Sequence, residues 1–172
     1  MNKFRAAVAL PALLPAAAAA RAPALAGRAA ALVKEGEGRV VAWRRQIHRN
    51  PELSYQEFGT AATIAAALKA MPGMRVQTGL AKTGVKGVLV GGKPGPVIAL
   101  RADMDALPVE EKTGLPFAST AKANWRGKES FVAHACGHDA HVAMLLGAAD
   151  ALSRLRADLP GTVVFLFQPA EE

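Results

Sequence analysis

Disulfide chemistry is closed to this chain. Of its 172 residues only Cys136 is a cysteine, so no intrachain bridge can form. In an oxidising compartment a lone thiol needs burial or a ligand to protect it. Aromatic residues make up 5%, which leaves an aliphatic core to be built from a 51% hydrophobic fraction rich in alanine. No apolar run of about 18 residues is free of both proline and charge, so a membrane-spanning helix is not expected. Lys and Arg outnumber Asp and Glu, 21 to 14. Lys3, Arg5 and Arg21 account for part of that excess, and the remaining cations are scattered. A basic run of the kind that tracks nucleic acid is therefore missing. The glycine cluster Gly91-Gly92-Lys93-Pro94-Gly95 lacks the spacing of a phosphate loop and has no nucleotide role.

The first 26 residues read as an export signal. Met1-Asn2-Lys3-Phe4-Arg5 is basic, Ala6 to Ala20 is apolar and uncharged, and Ala24-Leu25-Ala26 fits the small-x-small pattern before a cleavage point. Cleavage is expected after Ala26, with the Ala20–Arg21 junction as the second choice. A plain Ala/Pro-rich tail is the alternative. A cleaved signal places the mature chain in the periplasm or outside the cell, with no membrane contact afterwards. The remaining residues, 27–172, have the length of one domain.

Helical spacing of Ala29, Leu32, Val33, Val40, Val41 and Ile47 predicts a helix over 28–49, stopped by Asn50-Pro51. A second helix is expected over 57–71, with Phe58, Ala61, Ile64, Ala65 and Leu68 on one face and Pro72-Gly73 at its end. Met74–Thr78 and Val85–Val90 read as strands. Val97–Leu100 and Val163–Phe167 are continuous apolar runs, the pattern of strands buried on both faces. Residues 106–133 form a long irregular stretch. A third helix is expected over 139–155. The order strand 97–101, helix 139–155, strand 162–167 is a βαβ unit, so those strands are expected to be parallel with a right-handed crossover. The fold class is α/β, with a mostly parallel central sheet flanked by helices.

Three chemistry-bearing clusters fall at one edge of that unit, where open α/β sheets collect ligands. Asp103 and Asp105 follow the first strand, Cys136 and His138 precede the helix, and Glu171-Glu172 follow the last strand. A thiolate and an imidazole either side of a glycine can address one ion, and they favour zinc or another borderline transition metal. Of the two glutamates, one can bind metal while the other takes a proton from metal-activated water; alternatively the pair is a solvated acidic turn. Asp105 can orient an imidazole ligand. Asp103 is a further acceptor or a loop cap, and Asp139 reads as the cap of the third helix. His134 and His141 are as readily plain helix-start histidines as functional ones. His48 sits at a helix end, where imidazole favours the negative pole. A rival chemistry makes Cys136 a nucleophile paired with His138 or His141, but it gives the carboxylate pair no task.

Taken together, the runs His48-Arg-Asn-Pro-Glu-Leu-Ser-Tyr-Gln-Glu57, Arg101-Ala-Asp-Met-Asp-Ala-Leu-Pro108, His134-Ala-Cys-Gly-His-Asp-Ala-His141 and Gln168-Pro-Ala-Glu-Glu172 resemble the M20 metallopeptidase family. They are most similar to its amidohydrolase branch of hippurate hydrolases, N-acyl-amino-acid amidohydrolases and auxin-conjugate hydrolases. The resemblance implies two divalent metal ions, zinc or manganese. It implies Cys136, His138 and Glu172 as ligands, Glu171 as general base and Asp105 as a supporting catalytic residue. The implied reaction is hydrolysis of an N-acyl amino acid, a small-molecule substrate, by metal-activated water. Family members are longer, carrying two more histidine ligands, a C-terminal half and a lid domain that can pair in a homodimer. Residues 27–172 are thus expected to be the N-terminal portion of such a catalytic domain, inactive alone. A non-catalytic, truncated metal-binding module is the alternative.

Overall fold

The computed structural model describes residues 16–172, with side chains described from residue 24 onward. Residues 1–15 of the expected export signal lie outside the described residues. Ala16–Ala26 form the first turns of a long helix α1 (Ala16–Arg49). There follow α2 (Phe58–Lys69), β1 (Met74–Leu80), β2 (Gly84–Val90), β3 (Lys93–Asp103), β4 (Lys122–Trp125), β5 (Lys128–Phe131), α3 (His138–Arg154) and β6 (Pro160–Gln168). No described helix is long and apolar enough to cross a membrane.

The buried stripe of α1 runs through Leu25, Ala29, Leu32, Gly36, Val40, Trp43 and Ile47, steps of three and four that keep one face inward. Val33 and Val41, expected on that face, point to solvent. Gly147 on α3 lets Val40 approach closely, since a Cβ there would meet the valine methyl at 2.7 Å. In α2 the inward face is Thr60, Ile64, Ala65 and Leu68, and Phe58, at its first position, is exposed. The α2 start lacks a cap from its own N-cap residue. Glu52 supplies it instead, accepting from the amides of Gly59 at 2.9 Å and Thr60 at 2.7 Å.

The main sheet has the order β1-β2-β6-β3. β3 and β6 pair in parallel, with Asp103 opposite Gln168. The β1/β2 and β2/β6 pairs are antiparallel. The α/β class and the parallel βαβ pair match the expectation. The described sheet as a whole is mixed, because the tight β1–β2 connection forces antiparallel pairing there and β2 meets β6 from the opposite direction. Helices cover one face. Val85, Leu89, Val163, Phe165 and Phe167 are buried there with Ile64, Leu68, Val142 and Leu146, while the alternate residues Val88, Val164 and Leu166 are half-buried.

The apolar run at the start of β3 is a correction. It was expected to be covered on both faces, yet Val97 is 71% and Ile98 54% exposed. β3 is an outer strand of the described sheet, so its residues have a neighbour on one side only. The stretch 106–133 also contains more order than expected. Its β4–β5 hairpin turns on Arg126 (φ 53°) and Gly127 (φ 83°), two positive φ values in a two-residue loop. A second small cluster of Leu53, Ala106 and Val132, with Ala123 and Trp125, holds this hairpin to the segment after α1.

Candidate metal centre

The β3/β6 register sets the site. Met104 N–H continues the pairing by donating to Gln168 O at 3.0 Å, so the residues beyond both strands emerge side by side. Past β6, Ala170 adopts a left-handed conformation (φ 51°), which costs a non-glycine residue about 1–2 kcal/mol. Two buried carboxylates hold it there. Ala170 N–H donates to Glu57 Oε1 at 2.9 Å, and Glu172 N–H donates to Asp105 Oδ2 at 3.0 Å. Glu57 is also bound through Oε2 by the Thr83 hydroxyl.

Gly137 (φ 87°) is the N-cap position of α3, a left-handed turn that glycine makes without strain. It sets Cys136 and His138 either side of the bend. His138 is 2% exposed. Its Nδ1 lies 3.0 Å from Asp105 O and 3.2 Å from Asp105 Oδ1, two acceptors, so Nδ1 carries the proton and donates. Nε2 is therefore the nitrogen left to take a cation, whether a proton or a metal ion. It faces Glu171 Oε2 at 3.7 Å, Asp103 Oδ2 at 3.8 Å and Glu172 Oε1 at 3.9 Å. These distances exceed hydrogen-bond range. Three carboxylates gathered around one ring nitrogen repel one another unless a cation stands among them.

Two groups of potential ligand atoms lie within 4.8 Å of one another: Cys136, His138 and Glu172; and Asp103, His138 and His141. They share His138, whose single free nitrogen can serve one ion at a time. The first group unites the three residues assigned as ligands from the sequence. Glu171 stands beside them, partly exposed. Asp105 sits beneath, its carboxyl held below the usual carboxylate range. Burial pushes it up, but the Ser54 hydroxyl at 2.7 Å and the amides of Glu172 and Glu171 outweigh burial. Thiolate, imidazole and carboxylate donors around one point fit a borderline divalent cation.

Around this cluster several expectations change. Asp103 is not a loop cap: Arg101 Nη2 makes an ionic contact with its Oδ1 at 2.6 Å, and its Oδ2 faces His138 and, at 3.7 Å, His141. Asp139 does not cap α3, because Gly137 starts the helix one residue earlier than expected and turns Asp139 inward. Its Oδ2 accepts from His48 Nδ1 at 2.8 Å and Arg44 Nε at 3.1 Å. His48 lies at the end of α1, as expected, but it is buried there, with Nε2 3.1 Å from Glu111 Oε1. His134 is buried with neither ring nitrogen partnered, and burial presses it down to about 4 against the upward pull of the Asp139 carboxylate. Glu57, Ser54, Arg101 and Glu111 were given no role from sequence. The first three lie inside recognisable runs, whereas Glu111 sits in the irregular stretch, where no periodicity marks it.

Cys136 is exposed. A hydrogen bond to Glu172, desolvation and the charges of Glu172, Glu171 and Asp103 push its thiol up. An activated cysteine nucleophile needs the opposite environment, so the thiol-amidase alternative loses support. A nearby cation would reverse the shift.

A βαβ edge carrying clustered sulfur, nitrogen and oxygen donors defines the chain as an α/β domain with a candidate metal centre. The family is Peptidase family M20/M25/M40, to which the chain belongs: the family's model matches residues 99–172. A thermostable carboxypeptidase 2 of Saccharolobus solfataricus is 48% identical over 141 residues, 81% of this chain and 34% of the relative. An N-acyl-L-amino acid amidohydrolase of Geobacillus stearothermophilus is 47% identical over 82% of this chain and 36% of its own length. A solved Bacillus subtilis structure, described as a dinuclear metal binding peptidase from the M20 family, superimposes with TM-score 0.71 at 44% identity, covering 80% of this chain and 36% of that one. The chain spans about a third of the length of the curated relatives it matches.

Proposed function

We propose that the protein is a metal-dependent amidohydrolase that cleaves N-acyl amino acids. The observation that carries this reading is His138 Nε2 facing Asp103, Glu171 and Glu172 beside a thiol. Relatives named as an amidohydrolase and a carboxypeptidase support the bond class. The two names describe one linkage, since the C-terminal residue of a peptide is itself an N-acylated amino acid.

Cys136, His138 and Glu172 would hold one ion of a zinc or manganese pair; the B. subtilis structure described as dinuclear supports the number two. A bound divalent cation polarises a carbonyl and brings the pKa of water toward ~7. Asp105 fixes the His138 tautomer from below. Glu171 takes the proton of the attacking water and delivers it to the leaving nitrogen. Asp103 and His141 lie within reach of the same site. Residues 1–26 serve as an export signal in this reading, checked by the N-terminal sequence of the mature protein. If that terminus still begins upstream of Ala20, the signal is wrong.

The test is metal dependence of the full-length protein on a hippurate-like substrate. A chelator is expected to abolish turnover, and zinc or manganese to restore it. Activity that survives complete metal removal would overturn the proposal. The 172-residue chain alone is expected to be inactive, since a catalytic site needs its whole set of ligands held in place.

A further inference from the structure

His48 lies outside the cluster just described, on the last turn of α1, yet among the described residues it is the imidazole with both ring nitrogens in hydrogen-bond contact. Its Nδ1 stands 2.8 Å from Asp139 Oδ2 and its Nε2 3.1 Å from Glu111 Oε1. Both partners are carboxylate oxygens, which accept and do not donate. Both ring nitrogens must therefore carry protons, and the ring is an imidazolium.

The surroundings agree from every side. On α1, Arg44 shares Asp139 Oδ2, and Arg45 stacks over Phe117, whose ring edge meets His48 at 5.4 Å between centroids. From the segment before α3, His134 lies 6.4 Å away, ring to ring. From the loop of residues 107–121, Glu111 also accepts from the Thr113 hydroxyl and, at 2.6 Å, the Ser119 amide. Burial opposes the charge on His48, but the hydrogen bonds to Glu111 and Asp139 outweigh it and hold the ring above the usual imidazole value. Glu111 is held at about 2: burial pushes it up, and the Thr113, Ser119 and His48 donors prevail.

Asp139 follows His138 in sequence and sits in the first turn of α3. That turn has no side-chain cap, and the fully buried Asp139 is gripped only from α1. We propose that His48 is a positioning residue for the metal centre: by donating from both ring nitrogens it clasps Asp139 and Glu111 together, and so fixes where the first turn of α3 presents His138. The inference rests on the metal-centre reading above. It adds a role for a residue that touches neither substrate nor ion, and it makes metal retention sensitive to the protonation of a distant ring.

The sign with pH follows from the raised value of His48. The doubly donating form is complete below the ordinary imidazole value of 6.5 and is lost as pH rises through the higher value in the folded protein. The clasp thus weakens toward alkaline pH, while thiol deprotonation favours metal binding in the same direction. Comparison with a variant separates the two.

The experiment is cobalt(II) titration of the metal-freed full-length protein, followed by the thiolate-to-cobalt absorption that reports Cys136. His48→Gln keeps the size but offers a single donor nitrogen, an acceptor oxygen in place of the second, and no charge. It is expected to weaken cobalt binding roughly 10–100-fold near pH 6, the range for loss of a group that orients a ligand. The gap from wild type should narrow as pH rises. Glu111→Gln keeps the His48–Asp139 contact and should lose less, in the same direction; it carries the test if His48→Gln does not fold. Cobalt affinity within about twofold of wild type in the folded variants, with only the melting temperature lowered, would overturn the clasp as a positioning device. A wild-type protein that shows no thiolate–cobalt band would instead overturn the metal centre itself.

Discussion

Glu171 and Glu172 both turn their amides toward Asp105, but their side chains are differently placed. The Glu172 amide is bound to Asp105, and its side chain joins Cys136 and His138. The Glu171 side chain is the more exposed of the two, as a proton carrier has to be. Glu171→Gln removes the base and keeps the size. In the full-length protein turnover is expected to fall by about 10²–10⁴, with metal content unchanged by elemental analysis. Equal loss of metal and of turnover would make Glu171 a ligand and not the base. At this scale the sequence was readable where residue type and chemistry coincide: one thiol, one Gly-flanked imidazole, one acid pair. It was unreadable where a role depends on distant company. Asp139 looks like any helix-start aspartate until His48, 91 residues away, is brought against it.

Among the elements, α3 bears most directly on the site. Its start is fixed by Gly137 at φ 87°, a conformation that costs an L-residue about 1–2 kcal/mol. Open space surrounds the position of an added Cβ, so backbone strain alone is at stake. Gly137→Ala is expected to destabilise the protein by about 1–2 kcal/mol in urea unfolding, and to weaken metal binding as well, since Cys136 and His138 both swing on this bend. Unchanged stability and affinity would show that the bend is not required. Helix 139–155 and the parallel strands flanking it were legible because a βαβ unit leaves few alternatives. The β4–β5 hairpin was not, because four-residue strands such as Lys122–Trp125 give too little alternation to separate from loop, and their pairing depends on the Leu53 cluster.

For the molecule as a whole, the imbalance between the two sides of the sheet dominates. Helices cover one face, while β3, one of the two outer strands, presents Val97 and Ile98 to solvent. An exposed apolar strand edge is a template for self-association. The 172-residue chain is therefore expected to scatter light at concentrations where Ile98→Lys does not, and sedimentation velocity would show it. Equal behaviour of the two would mean that the edge is harmless. Sequence pattern alone misread this strand because continuous hydrophobicity reports what a strand is suited to, not what lies beside it.

Glu57 gives the acid pair a second dependence. The same buried carboxylate receives the Thr83 hydroxyl at the hairpin turn and the Ala170 amide ahead of Glu171. The β1–β2 hairpin and the two terminal glutamates therefore share one fulcrum, and a tilt of that hairpin, far along the chain, is geared directly to where the proton acceptor stands.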